Sequence, residues 1–188
     1  WGAEAELTVN PVEGLTLNGA ITYLDAKIKS YVGYNVFGGI DHPGFVPGGD
    51  NTESFKGSPL PYTPKWAGSV NIDYRFNRGN GGPFIGATMN ARSKQDSAIG
   101  ASTTGFPVGP RYVLAPGIGA HPYVISGYAT FDARLGYEGP DGAWRVQLWG
   151  KNLTNKYYIT AVSSTGDQSV RYTGMPATYG VTIGFKMK

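Results

Sequence analysis

The chain has no cysteine, only two histidines, and no run of apolar residues long enough to cross a membrane as a helix. The missing cysteines exclude a disulfide framework and a thiolate metal site. His42 and His121 stand apart, each beside a proline, so they form no metal-binding pair. A membrane helix needs about 20 consecutive apolar residues, whereas hydrophobic residues here make up 40% and mean hydropathy is -0.24. Net charge is +3 with both signs scattered singly, and no Lys/Arg run marks a nucleic-acid surface. No Ser-His-Asp or Cys-His set can be assembled, so an enzyme is not expected. No cofactor motif stands out either: Gly79-Asn80-Gly81-Gly82 is a turn with no helix after it, unlike a phosphate cradle.

What the chain has in quantity is glycine (29), tyrosine (13) and tryptophan (4), set among alternating apolar and polar residues. Seven alternating stretches can be read, and period-two patterning predicts strands. The clearest has Trp66, Gly68, Val70, Ile72, Tyr74 and Phe76 on one face and Ala67, Ser69, Asn71, Asp73 and Arg75 on the other. The others run over Ala3–Asn10, Leu15–Tyr23, Ile85–Arg92, Ala129–Tyr137, Trp144–Lys151 and Tyr179–Met187. The second is expected to continue towards Tyr31 and to project beyond the others. Aromatic residues cluster at strand ends with aliphatic residues between, as interfacial belts around a lipid-facing band would.

Connections alternate in length. Tight ones fall at Asn10-Pro11-Val12-Glu13-Gly14, from Asn77 to Gly82, and at Glu138-Gly139-Pro140-Asp141-Gly142; long ones run from about Val32 to Lys65, Ser93 to Gly127 and Tyr157 to Pro176. Short turns at one rim and long loops at the other characterise outer-membrane barrels. The expectation is an all-β, antiparallel transmembrane β-barrel segment of about seven strands. Long loops would be extracellular, and short turns and the C-terminus periplasmic. Seven strands cannot close a membrane barrel, because both outer edges would carry unpaired backbone groups into lipid. Other strands, from the same gene or a second chain, must pair with them.

Several segments resemble TonB-dependent outer-membrane receptors. Asn152-Leu153-Thr154-Asn155-Lys156-Tyr157-Tyr158 is similar to the motif that follows the penultimate strand of that family. Gly174-Met175-Pro176-Ala177-Thr178-Tyr179-Gly180 resembles the approach to the final strand, with Ala177 where the family often has Arg. Gly57-Ser58-Pro59-Leu60-Pro61-Tyr62-Thr63-Pro64-Lys65-Trp66 resembles the approach to a descending strand, and Asn10–Leu15 the usual periplasmic turn. Another departure is Lys186-Met187-Lys188 after Phe185, where barrel assembly machinery usually meets a terminal aromatic.

The resemblance implies that residues 1–188 are the closing third of a roughly 22-stranded barrel with a plugged lumen, the plug and TonB box lying outside this stretch. The implied function is uptake of a scarce nutrient such as a siderophore, cobalamin or glycan. Implied partners are the remaining strands, the plug, the TonB complex acting through it, the barrel assembly machinery and outer-membrane lipid. The rival readings are a passive or structural barrel and a soluble carbohydrate-binding β-sandwich. Candidate substrate contacts are Tyr34, Phe37, Phe45, Phe106, Arg111, Tyr112 and Tyr123 in the long loops, and Arg92 and Arg134 on the inner wall. The loop aromatics either stack on substrate or pack together as a lid. The arginines either meet an anionic substrate or pair with Asp73 and Asp132.

Overall fold

In a computed structural model, residues 1–34, 52–76, 80–103, 121–165 and 168–186 are described. Phe37, Phe45, Phe106, Arg111, Tyr112 and His42 lie outside them, as does Met187. The strands among them are β1 (Gly2–Val9), β2 (Leu15–Leu24), β3 (Val32–Tyr34), β4 (Thr52–Ser54), β5 (Trp66–Arg75), β6 (Gly82–Arg92) and β7 (Gln95–Asp96). There follow β8 (Val124–Ile125), β9 (Tyr128–Glu138), β10 (Trp144–Lys151), β11 (Ile159–Thr165), β12 (Gln168–Thr173) and β13 (Thr178–Phe185).

Seven of these form one sheet in the order β1-β2-β5-β6-β9-β10-β13, every neighbouring pair antiparallel. They are the seven stretches of alternating sequence. The strand order follows the chain order, as expected when each strand returns beside its predecessor. At the tight turns Gly14 and Gly81 have positive φ, 85° and 93°. A Cβ on either would run into backbone carbonyl oxygen, of Arg75 and of Glu138 respectively, so both the conformation and the space require glycine.

The register aligns apolar residues across strands. Leu17 pairs with Ile72, Val70 with Met89, Ile85 with Leu135, Leu135 with Leu148, and Leu148 with Val181. This apolar face is uncovered: Val70 and Leu148 are each 50% exposed, and Phe185 is 76% exposed. On the opposite face Asn71, Asp73 and Arg134 are half-buried. The polarity is therefore inverted relative to a water-soluble sheet, and no second sheet layer covers the apolar face among the described residues. A two-layer sandwich requires such a layer.

The second stretch does not run on to Tyr31 as one unbroken strand, although its pairing carries on past the main sheet. β2 stops at Leu24. Its partner beyond Lys65 reads Pro59-Leu60-Pro61-Tyr62-Thr63-Pro64, and proline has no N–H to donate to a ladder. Past Leu24 the pairing is irregular but continues: the bridge Lys27 to Pro59 is followed by amide-to-carbonyl bonds from Ile28 to Ser58, Gly57 to Ile28 and Phe55 to Tyr31, which lead into the β3–β4 pair. The long connections are also more structured than loops. They hold the short pairs β3–β4, β7–β8 and β11–β12, and the last is a hairpin extending past the main sheet.

Candidate functional site

The polar face carries a connected network at its centre. Asn71 donates through Nδ2 to Asp73 Oδ2 (2.6 Å) and accepts at Oδ1 from Thr88 Oγ1 (2.8 Å). Arg134 donates to Asp73 Oδ1 at 2.5 Å, across β5, β6 and β9. The guanidinium passes over Gly86, whose missing side chain leaves room: a Cβ there would lie 2.8 Å from Arg134 Nε. The arginine is thus paired with an acid on its own wall.

Towards the short-turn rim, Arg75 pairs with Glu138 at 2.8 Å, and Arg145 lies 4.2 Å above the Phe84 ring while donating to Gln147. Towards the opposite rim Arg92 sits 5.3 Å over the Tyr128 ring, which meets the Tyr158 ring at a tilt of 32° with centroids 4.3 Å apart. Arg92 remains exposed. This face therefore presents a cation over an aromatic ring near the long connections and an ion pair in the middle. Trp149 also lies on the polar face, donating from Nε1 to Thr182.

Above the sheet the long connections meet in a small core of Ala101, Tyr123, Ile125 and Val162, with Ile125 only 1% exposed. Three connections contribute. Tyr62 donates its N–H to Asp96 and its hydroxyl to Val162; Ser58 and Thr103 hydroxyls meet at 3.1 Å. Arg171, opposite Val162 on the β11–β12 hairpin, donates to the carbonyl of Pro122. Asp96 accepts from the amide and hydroxyl of Ser102, which closes the turn after β7.

The candidate contacts therefore separate. Tyr34 is exposed at the end of β3, and Tyr123 is buried in the cap core, where its carbonyl accepts from Ser97. Arg92 and Arg134 share the polar face but not a partner. His121 lies at the cap margin, a ring nitrogen 3.1 Å from the Ala101 carbonyl. Among the described residues no cluster of three or more His, Asp or Glu forms a metal-binding group. Sequence reasoning passed over Asn152, which proves to be a hub. Its Nδ2 donates to the carbonyls of Lys156 and Met175, its Oδ1 accepts from the Lys156 amide, and its own amide donates to Asp132. The available signal was asparagine repeated at Asn152 and Asn155: both adopt φ of 48°, which asparagine tolerates better than most residues.

A model of the TonB dependent receptor-like β-barrel family matches residues 1–153. The chain belongs to the TonB-dependent receptor β-barrel family. Members of this family are transport proteins of the outer membrane, not enzymes. Three solved structures share the fold. FyuA, the ferric yersiniabactin uptake receptor of Yersinia pestis, is 14% identical with a TM-score of 0.62, over 97% of this chain and 22% of its own. BauA, the ferric preacinetobactin receptor of Acinetobacter baumannii, is 18% identical with a TM-score of 0.58, over 97% and 21%. Fiu, the ferric-catecholate import receptor of E. coli K12, is 21% identical with a TM-score of 0.61, over 97% and 20%. The chain thus spans about a fifth of the length of these receptors.

Proposed function

We propose that residues 1–188 form the closing wall and part of the external cap of a TonB-dependent nutrient receptor. The observation that carries this reading is the inverted sheet: an uncovered apolar face over seven strands, backed by a polar face that carries two ion pairs, Arg75–Glu138 and Arg134–Asp73. Such a face suits lipid, and the opposite face suits a polar lumen. Four of the seven strands have 10 or 11 residues, within the about 9–11 that a tilted membrane strand requires, and β1, β10 and β13 have 8.

In this reading the short-turn rim is periplasmic and the capped rim extracellular, so β13 descends and the C-terminus is periplasmic. The outer edges of β1 and β13 have no strand partner among the described residues. In a bilayer each unpaired backbone group costs several kcal/mol, so further strands of a roughly 22-stranded barrel complete the wall around a plug. Barrel assembly machinery inserts it, and TonB acts through the plug to admit substrate.

Tyr34 and the Arg92–Tyr128–Tyr158 group are the proposed contacts within the described residues; Phe37, Phe45, Phe106, Arg111 and Tyr112, outside them, are proposed as further contacts on their sequence alone. Tyr123 supports it from the cap core, and Arg134 shapes the inner wall through Asp73. Exposed tyrosine and a ring-held cation favour an aromatic, anionic solute such as a ferric chelate of siderophore type over cobalamin or a neutral glycan.

Uptake of ferric siderophores, cobalamin and oligosaccharides by cells carrying the intact receptor, with and without TonB, tests the reading. TonB-dependent uptake of a ferric chelate is expected. Uptake unaffected by loss of TonB would instead indicate a passive channel, and a detergent-independent monomer in the soluble fraction a sandwich.

A further inference from the structure

The apolar face is not even. At mid-strand, Gly19 lies in one cross-strand row with Leu7, Val70 and Met89, and towards the capped end Gly68 faces Ile21. The two missing side chains leave a groove of about 400 Å³ walled by those aliphatic residues. That is within the about 300–1,000 Å³ typical of ligand pockets.

Immediately beyond it Trp1, Tyr23 and Trp66 form a row of rings, with centroids 5.0 and 4.6 Å apart. Beyond the rings, Lys27 and Lys65 both approach one carboxylate, Asp25, at 3.4 and 4.0 Å. Both lysine side chains are more than half exposed, and among the described residues the three groups carry one net positive charge. A second groove of about 540 Å³ on the same face, walled by Leu135, Leu148 and Val181, lacks this arrangement. The cation among its lining residues, Arg134, is tied to Asp73 on the polar face.

We propose that the Gly19–Gly68 groove, the aromatic row and the Lys27–Lys65 pair form a site for one phosphorylated glycolipid of the outer leaflet, of lipid A type. One acyl chain would fill the groove and a phosphate would meet the lysines. The order of apolar groove, aromatic row and cation along the strands matches the order of chain, interface and headgroup in a lipid. The proposal rests on the membrane-wall reading and its outward direction for the capped rim.

Gly19 gives a direct test, because a Cβ there would meet nothing within 4 Å. Gly19→Leu can therefore fill the groove without a backbone clash. The intact receptor, its Gly19→Leu variant and its Lys27→Ala/Lys65→Ala variant are purified in detergent and titrated with diphosphoryl lipid A by native mass spectrometry. One retained copy is expected, with binding about tenfold weaker in Gly19→Leu, equivalent to losing contact with roughly two methylenes. A similar weakening is expected in the lysine variant. Dephosphorylated lipid A and phosphatidylglycerol should compete poorly. Unchanged binding in either folded variant, or equal competition by phosphatidylglycerol, would overturn the proposal. Outer-membrane fractionation and heat-modifiable gel migration of the wild type decide the membrane-wall reading separately. If Gly19→Leu fails to fold, the surface lysine variant decides.

Discussion

Asn152 Nδ2 donates to the backbone carbonyl of Met175 at 3.0 Å, so the residue following β10 holds the segment that leads into β13. Asn155 adds a bond from the Ala177 amide to its Oδ1. The two segments that resemble the family near its C-terminal end thus clasp each other. Asn152→Ala would leave two carbonyls and the Lys156 amide without their partner at a position 4% exposed. It would also place alanine at positive φ. A loss of about 3 kcal/mol is expected from these combined effects. Asn152→Asp should be no milder at neutral pH, since a carboxylate would face two carbonyls and lie near Asp132. The temperature at which the folded receptor loses its fast gel migration measures both variants, and an unshifted Asn152→Ala would contradict the hub.

Arg134 distinguishes a substrate ligand from a wall residue. Both it and Asp73 are about a third exposed, with side-chain values of 32% and 33%. Solvent screening therefore limits their pairing to about 1 kcal/mol or less. If the arginine serves the wall, Arg134→Gln lowers stability slightly, and Asp73→Asn in the same chain restores most of it. Substrate affinity should then change less than about threefold in the double variant. A loss of affinity that Asp73→Asn does not repair would assign Arg134 to the substrate.

The strands were legible because period two survives whichever solvent faces the apolar side. Trp66 to Phe76 and Tyr179 to Phe185 read the same way in sequence and structure. Termination was harder. The end of β2 at Leu24 depends on prolines some forty residues away, at Pro59, Pro61 and Pro64, which become its neighbours only after pairing. The cap was hidden for a similar reason: Tyr62, Ile125 and Val162 have no common local pattern and are joined by long-range contacts. Arg134 carried two readings in sequence, and the wall geometry supplies an acid partner. For Tyr34 and Arg92, exposure and a cation–ring contact describe the surface without identifying its solute.

The cap makes a separable prediction. Val162 is 2% exposed in a four-residue core, and its hairpin partner Arg171 ties the unit to Pro122. Val162→Ala removes methyl groups from a core too small to be compensated elsewhere, with about 2 kcal/mol of local loss. Hydrogen exchange should quicken in β7, β8, β11 and β12 and stay unchanged in β5, β6 and β9. Uniform change across the main sheet would mean that the cap and wall unfold together.

Leu148 and Asn90 offer the sharpest contrast between membrane and water. Leu148 lies mid-strand between Leu135 and Val181 on the apolar face, whereas Asn90 lies between Ser69 and Thr130 on the polar face. Both are exposed in the isolated chain. For a soluble sheet, Leu148→Arg would replace exposed hydrocarbon with charge and be neutral or favourable. In a bilayer the same change at mid-depth is unfavourable by about 2–4 kcal/mol, while a lumen substitution such as Asn90→Arg should stay within about 0.5 kcal/mol. Folding of the intact receptor into lipid vesicles, followed by fast gel migration, reads both variants. Only a membrane-facing Leu148 predicts that its arginine variant folds poorly while Asn90→Arg folds normally, because water and lipid give the Leu148 change opposite signs.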